Sequence, residues 1–176
     1  KNKIKHIVFE IESDGGQVWA AQEIMKDLNE APADMTFTMV IRRAISASVW
    51  PTFACDSIYM LPGSSFGGAL AFKIDVAGNA DVDNKLIGIW AAELANVADQ
   101  HGHNPQIVRA MTLPNERLYA SLRRSDSRWQ FSADRPIEER DFREIRELSD
   151  GKKGVVTLTQ AQAVEFNIAK NMGDAD

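Results

Sequence analysis

Apolar positions in the first two-thirds of the chain fall into short unbroken runs that alternate with longer amphipathic ones. Ile4 to Ile11, IKHIVFEI, is β-branched, aromatic and short, and predicts a buried strand. SDGG, residues 13–16, breaks it. Val18 to Leu28 then carries Val18, Ala21, Ile24, Met25 and Leu28 on one helical face. After the loop NEAPAD, Thr36 to Ile41 predicts a second strand, and Ser46 to Ala54 a short helix. Pro51 falls near the first turn of that helix, where a missing N–H costs little. Ser57 to Leu61, SIYML, predicts a third strand, and PGSSFGGA a loop after it. Leu86, Ile89, Trp90, Leu94, Val97 and Ala98 recur at helical spacing and predict a helix from Asp83 to Gln100. Gly102 closes it, and Asn104 with Pro105 opens another through Met111. Strand and helix in alternation predict an α/β fold on a largely parallel sheet with right-handed crossovers.

The last third changes character. Glu116 to Phe131 reads as a hairpin around RSDS. Asp134 to Lys153 has thirteen charged residues in twenty, with Ile137, Phe142, Ile145 and Leu148 sparse among them. That density predicts a solvated hairpin or helix excursion, roughly residues 116–153, or else a lip over a site. VVTLTQAQAVEFNIAK closes the pattern as a strand, a Thr159 N-cap and a helix. No internal repeat or low-complexity tract interrupts it, so residues 1–176 are expected to form one domain.

Composition narrows the function. The 176 residues are 44% hydrophobic and 26% charged, enough for a core and too apolar for a disordered chain. A net charge of -5 argues against a nucleic-acid partner, which calls for a basic stripe. One cysteine, Cys55, excludes an internal disulfide. No apolar run is long enough to span a membrane and no signal peptide is evident. The chain opens on Lys1 rather than Met, so a trimmed upstream segment is expected, and with it either a cytoplasmic or a membrane-associated protein.

Two junctions at strand ends carry the candidate chemistry. Asp14-Gly15-Gly16-Gln17 follows a buried strand and opens a helix, a place where backbone amides cradle an anion or oxyanion. Taken alone, two glycines are a weak signal and an ordinary tight turn is the plainer reading. Ser46-Ala47-Ser48 stands between strand and helix. Either serine serves as a helix cap, or Ser46 is a nucleophile with the Ala47 N–H beside it. A nucleophile needs a base. His6 lies in the first strand, and His101 and His103 flank Gly102 like exposed C-cap residues; none has a triad context, and no metal set emerges. Lys85, in the first turn of the long helix, is the alternative base. The helix dipole disfavours an ammonium there, and so would burial, while Asp81 and Asp83 pull the other way. A solvated surface lysine is the plainer reading.

In order and spacing these segments resemble the Clp-type serine peptidase superfamily, with its ClpP/crotonase-like stacked ββα fold. Within it the resemblance is nearest to the membrane-associated NfeD-type proteases, with signal-peptide-peptidase-type enzymes further away. IESDGGQVWAAQEI stands for the family's strand, (N/D)SPGG and helix. AISAS, with Asp56 ten positions after Ser46 and then IYMLPG, stands for its A-S-A-G, acidic residue and IYMAPG. SFGGA follows for SIGA, then KLIGIWAAELANVADQHGHN, then LTQAQAVEFNIA. The resemblance implies a peptide-hydrolysing Ser-Lys dyad of Ser46 and Lys85, with Gly15 or Gly16 and Ala47 as oxyanion hole. Lys73, after the GGA loop, is a second-choice base. It also implies no cofactor, a peptide or protein substrate, self-association, and a membrane tether outside this chain. Departures are Asp14 for proline, Arg42 and Arg43 for small residues, and Ser48 for glycine. A carboxylate at Asp14 opposes a developing oxyanion, with Arg42 or Arg43 within reach to offset it. The two other readings are a catalytically inactive scaffold that binds peptides and a crotonase-type acyl-thioester enzyme.

Overall fold

The computed structural model describes residues 4–71, 73–74, 80–81, 84–152 and 154–174. Its principal sheet runs β1 (His6–Ser13), β2 (Thr36–Ile45), β3 (Ser57–Gly67) and the short β10 (Lys170–Asn171), all parallel. β9 (Thr157–Thr159) adds antiparallel to the far end of β3. The expected parallel sheet is therefore present, and its crossovers are helical. β1, expected as a buried strand, is instead the sheet's edge strand and alternates half-buried with exposed residues, Val8 among the exposed. α1 (Val18–Asn29) joins β1 to β2, and a 3-10 turn at Ser46–Ser48 with α2 (Val49–Phe53) joins β2 to β3.

β3 is longer than its apolar run predicts. PGSSFG was expected as loop, yet residues 62–67 continue the strand. Pairing with β2 jumps from Ile41↔Met60 to Arg43↔Ser65, so Leu61 to Ser64 bulge out and the strand resumes beyond them. Pro62 and Gly63 punctuate a strand here instead of ending it. The short pair β4 (Lys73–Ile74) and β5 (Ala80–Asp81) precedes α3 (Asn84–Gln100). Residues 72, 75–79, 82 and 83, with the side chains of Lys73, Ile74, Ala80, Asp81 and Asn84, lie outside the described ones.

α3 buries Leu94, Val97 and Ala98 as predicted, but in its first half the buried face is Ile87 and Ala91, and Ile89, expected inside, is 54% exposed. It is fastened to α2 by an edge-on contact of Trp50 and Trp90, ring centroids 6.5 Å apart. α4 (Pro105–Thr112) has Pro105 in its first turn, and the Asn104 side chain accepts from the Gln106 N–H, as its sequence predicts. α5 (Gln160–Glu165) is closed at its start by a full capping box of Thr159 and Gln162.

The charged last third is a sheet rather than a loose excursion. β6 (Arg117–Arg123) and β7 (Trp129–Ser132) form the predicted hairpin. β8 (Phe142–Asp150), expected as solvated loop or helix, pairs antiparallel with the other edge of β6. Its apolar residues are too sparse to announce a strand; the free edge of β6 supplies the backbone pairing, and charge adds to it. Arg146 lies 5.5 Å from the Trp129 ring centre and 5.6 Å from that of Phe166, and it is paired to Glu144 and Glu165. Leu118, Leu148 and Phe131 tie this sheet to the main core.

Candidate active site

The site forms where β2 ends. Ser46 has φ +58°, a left-handed conformation that costs a non-glycine residue about 1–2 kcal/mol. This single residue turns the chain from strand into helix and leaves its side chain at the carboxyl end of a parallel strand, where open α/β sheets place their sites. Nucleophiles of α/β-hydrolases stand on strained strand-to-helix turns of the same kind. The two serines separate clearly. Ser48 is buried, and its Oγ donates to the Ile45 carbonyl at 2.7 Å, a closed structural bond. Neither serine caps a helix through its side chain. Among the described residues none hydrogen-bonds to Ser46 Oγ.

The glycine loop packs directly on that serine. Gly15 has φ +104°, and a Cβ there would lie 2.5 Å from Ser46 Cβ, 2.9 Å from the Ile45 carbonyl oxygen and 3.0 Å from Ser46 Oγ. Only glycine allows so close an approach. Gly16 has open space around it. The two amides also differ: the Gly15 N–H donates to Ser13 Oγ at 3.1 Å, which leaves Gly16 as the amide of the pair with free reach. The Ala47 N–H belongs to a first helical turn and has no helical carbonyl behind it. Both adjoin an open depression of about 200 Å³, lined among others by Ile11, Ala20, Ile24, Ala47 and Pro51. Asp14, the departure beside the loop, is ion-paired with Arg43, while Arg42 pairs with Glu10.

Lys85 is the second residue of α3 and is exposed, as the plainer reading of a surface lysine had it. It stands five residues before Trp90, whose contact with Trp50 ties α3 to α2. The side chain of Lys73 lies outside the described residues.

Other polar residues do structural work elsewhere. Asp56 accepts from the Phe37 N–H at 2.7 Å and pairs with His101 at 3.0 Å, at the amino end of β2. Nine residues of strand, roughly 30 Å, separate that end from Ser46. Its carboxyl is held below the usual carboxylate range; burial opposes this, and the Phe37 N–H and His101 outweigh it. His101 and His103 are not the exposed caps expected from the sequence: both turn inward, and His103 Nε2 meets the Cys55 carbonyl at 2.6 Å. Burial lowers the His103 pKa and pushes the Cys55 thiol up to about 12. Only folding joins residues 45–48 positions apart, so no local motif could have revealed these pairs. A larger cavity of about 430 Å³, walled by Phe53, His103, Trp129 and Phe166, contains none of the serine, glycine-loop or lysine residues.

Residues 1–128 match the family model described as NfeD1b, N-terminal domain, and the chain belongs to that family. It is 33% identical over 110 residues to the membrane protein NfeD1b of Bacillus subtilis (strain 168), covering 62% of this chain and 24% of the relative. The chain thus spans about a quarter of that relative's length. Two solved structures of the 1510-N membrane-bound stomatin-specific protease share the fold, each with TM-score 0.64 over 95% of this chain at 14% identity. This chain covers 63% and 60% of them. One is a serine-to-alanine mutant, the other a lysine-to-alanine mutant with a substrate peptide. The fold is that of the NfeD/ClpP-like proteases.

Proposed function

We propose that this NfeD1b N-terminal domain is a serine endopeptidase with Ser46 as nucleophile and Lys85 as general base. One observation carries the reading: Ser46 adopts a strained strand-to-helix turn with the Gly15 backbone packed against its Cβ and Oγ. A cap or an ordinary turn requires neither the strain nor the contact. Neutral Lys85 takes the Ser46 proton as Oγ attacks a peptide carbonyl carbon. The Gly16 and Ala47 amides, with Gly15 holding the loop in place, stabilise the oxyanion. Collapse expels the amine, which receives the proton from Lys85, and water activated by the same lysine releases the acyl group. The apolar depression beside Ala47 receives a substrate side chain.

Support comes from the serine and lysine mutants that define the structurally similar protease, whose name also suggests a membrane setting and a stomatin-type partner for this chain. We extend the proposal to a single domain over residues 1–176 that self-associates and is tethered by parts of the protein outside this chain. The exposure of Lys85 favours a second reading, a peptide-binding member of the fold that does not cleave.

Intact-mass spectrometry after treatment with a fluorophosphonate separates the two. One adduct on the native protein, lost in both Ser46→Ala and Lys85→Ala, is the expected result. No adduct under conditions that label a known Ser-Lys enzyme sinks the peptidase reading, and retained peptide binding then favours the second.

A further inference from the structure

The Asp14–Arg43 ion pair has a structural cause. In a regular strand adjacent side chains point to opposite faces. Arg42 and Arg43 are nevertheless both exposed. Pairing of β1 with β2 steps from Ile11↔Ile41 to Glu12↔Arg43, so Arg42 is the extra residue of a β-bulge. The bulge turns both guanidiniums outward, Arg42 onto Glu10 and Arg43 onto Asp14. Without the extra residue, one of the two would face the core. Bulges commonly re-aim a side chain beside a functional site, and the extra residue here lies four positions before Ser46.

We infer that Arg43 is a positioning residue: by holding Asp14 it keeps the Gly15-Gly16 loop packed on Ser46 and cancels the carboxylate's charge beside the oxyanion site. The kinetic half of this inference rests on the peptidase reading; the loop half rests on geometry alone. Asp14 precedes Gly15 directly, and Gly15 makes the closest approach to Ser46. A tether on Asp14 therefore acts one residue from that contact. The charge effect follows from distance. Two residues of chain put the carboxylate roughly 8 Å from the Gly16 amide. An unneutralised charge at that range slows formation of an oxyanion about two- to thirty-fold, depending on solvent screening. Both partners are exposed, 55% for Arg43 and 77% for Asp14, so the pair contributes little to global stability. Its effect is local.

Four proteins test this: native, Arg43→Ala, Arg43→Lys, and Arg43→Ala combined with Asp14→Asn. Two readouts are taken on each, hydrogen exchange of the segment 12–17 and the rate of fluorophosphonate labelling at low and high salt. Arg43→Ala should exchange faster in the loop and label about two- to thirty-fold more slowly. High salt and Asp14→Asn should each recover much of that rate, because both remove the same charge. Arg43→Lys should recover rate more than loop protection, since an ammonium lacks the planar fork. The thermal midpoint should stay within a few degrees throughout. Native-like loop exchange in Arg43→Ala overturns the inference, as does a labelling loss that neither salt nor Asp14→Asn relieves. If the native protein does not label, the peptidase reading falls and loop exchange alone decides the tether.

Discussion

Adding one methyl group to each of two neighbouring glycines gives opposite expectations. In Gly15→Ala the new Cβ would sit 2.5 Å from Ser46 Cβ and 2.9 Å from the Ile45 carbonyl oxygen. Carbon atoms pack at about 3.5–4.0 Å, so the loop must retreat about 1 Å from the serine. The φ of +104° adds about 1–2 kcal/mol for a residue with a Cβ, and overpacking about 1–3 kcal/mol more. The sum, about 2–5 kcal/mol, lowers the thermal midpoint of a domain this size by roughly 4–20 °C. A 1 Å displacement of an oxyanion donor also costs about a hundredfold in rate. Gly16→Ala meets nothing within 4 Å and should change stability by no more than about 1 kcal/mol. Thermal unfolding by circular dichroism and the fluorophosphonate labelling rate check both variants side by side. If Gly15→Ala costs no more than Gly16→Ala, the close packing of loop on serine is not a feature of the protein, and the oxyanion geometry built on it fails.

Three further outcomes are expected. Ser48→Ala should lose about 0.5–1.5 kcal/mol in denaturant unfolding for the bond to Ile45 while keeping the fluorophosphonate adduct; loss of the adduct would make Ser48 the reactive serine. Cys55 is fully buried with its thiol pushed up to about 12, so a thiol reagent at pH 8 should modify it only as fast as the protein unfolds. Prompt modification of folded protein would contradict that placement. Stability should also depend on pH in a defined direction. His103 has its folded pKa lowered from 6.5, so the unfolded chain binds a proton the folded one refuses, and stability present above about 6.5 is lost as pH falls. Asp56 is lowered from 3.8, so its contribution persists to lower pH and is lost on further acidification. Denaturant midpoints between pH 8 and pH 3 check this, and a midpoint that rises as pH falls from 7 to 5 would refute the His103 placement.

Much of the fold was legible from local chemistry. The apolar runs at Ile4–Ile11 and Thr36–Ile41, the helical stripe from Leu86 to Ala98, and the cap signals at Asn104-Pro105 and Thr159 each act within a few residues. Sequence spacing shows such effects directly. The order of SDGG, AISAS and Lys85 likewise pointed to the family and to Ser46 as candidate nucleophile. What sequence spacing could not show depends on contacts between distant segments. β8 is a strand because β6 offers it an edge and because Arg146 finds Trp129, Phe166 and two glutamates, though its own residues look like a solvated charge run. Ser48 became structural and Ser46 the strained turn residue only when β2 met the glycine loop of β1. The choice of Arg43 over Arg42 as partner of Asp14 depended on a bulge, a mismatch between two strands that neither strand encodes alone. Periodicity governs a side chain's neighbours along its own element. Partners across elements are settled by register and close approach, and those exist only once the sheet has formed.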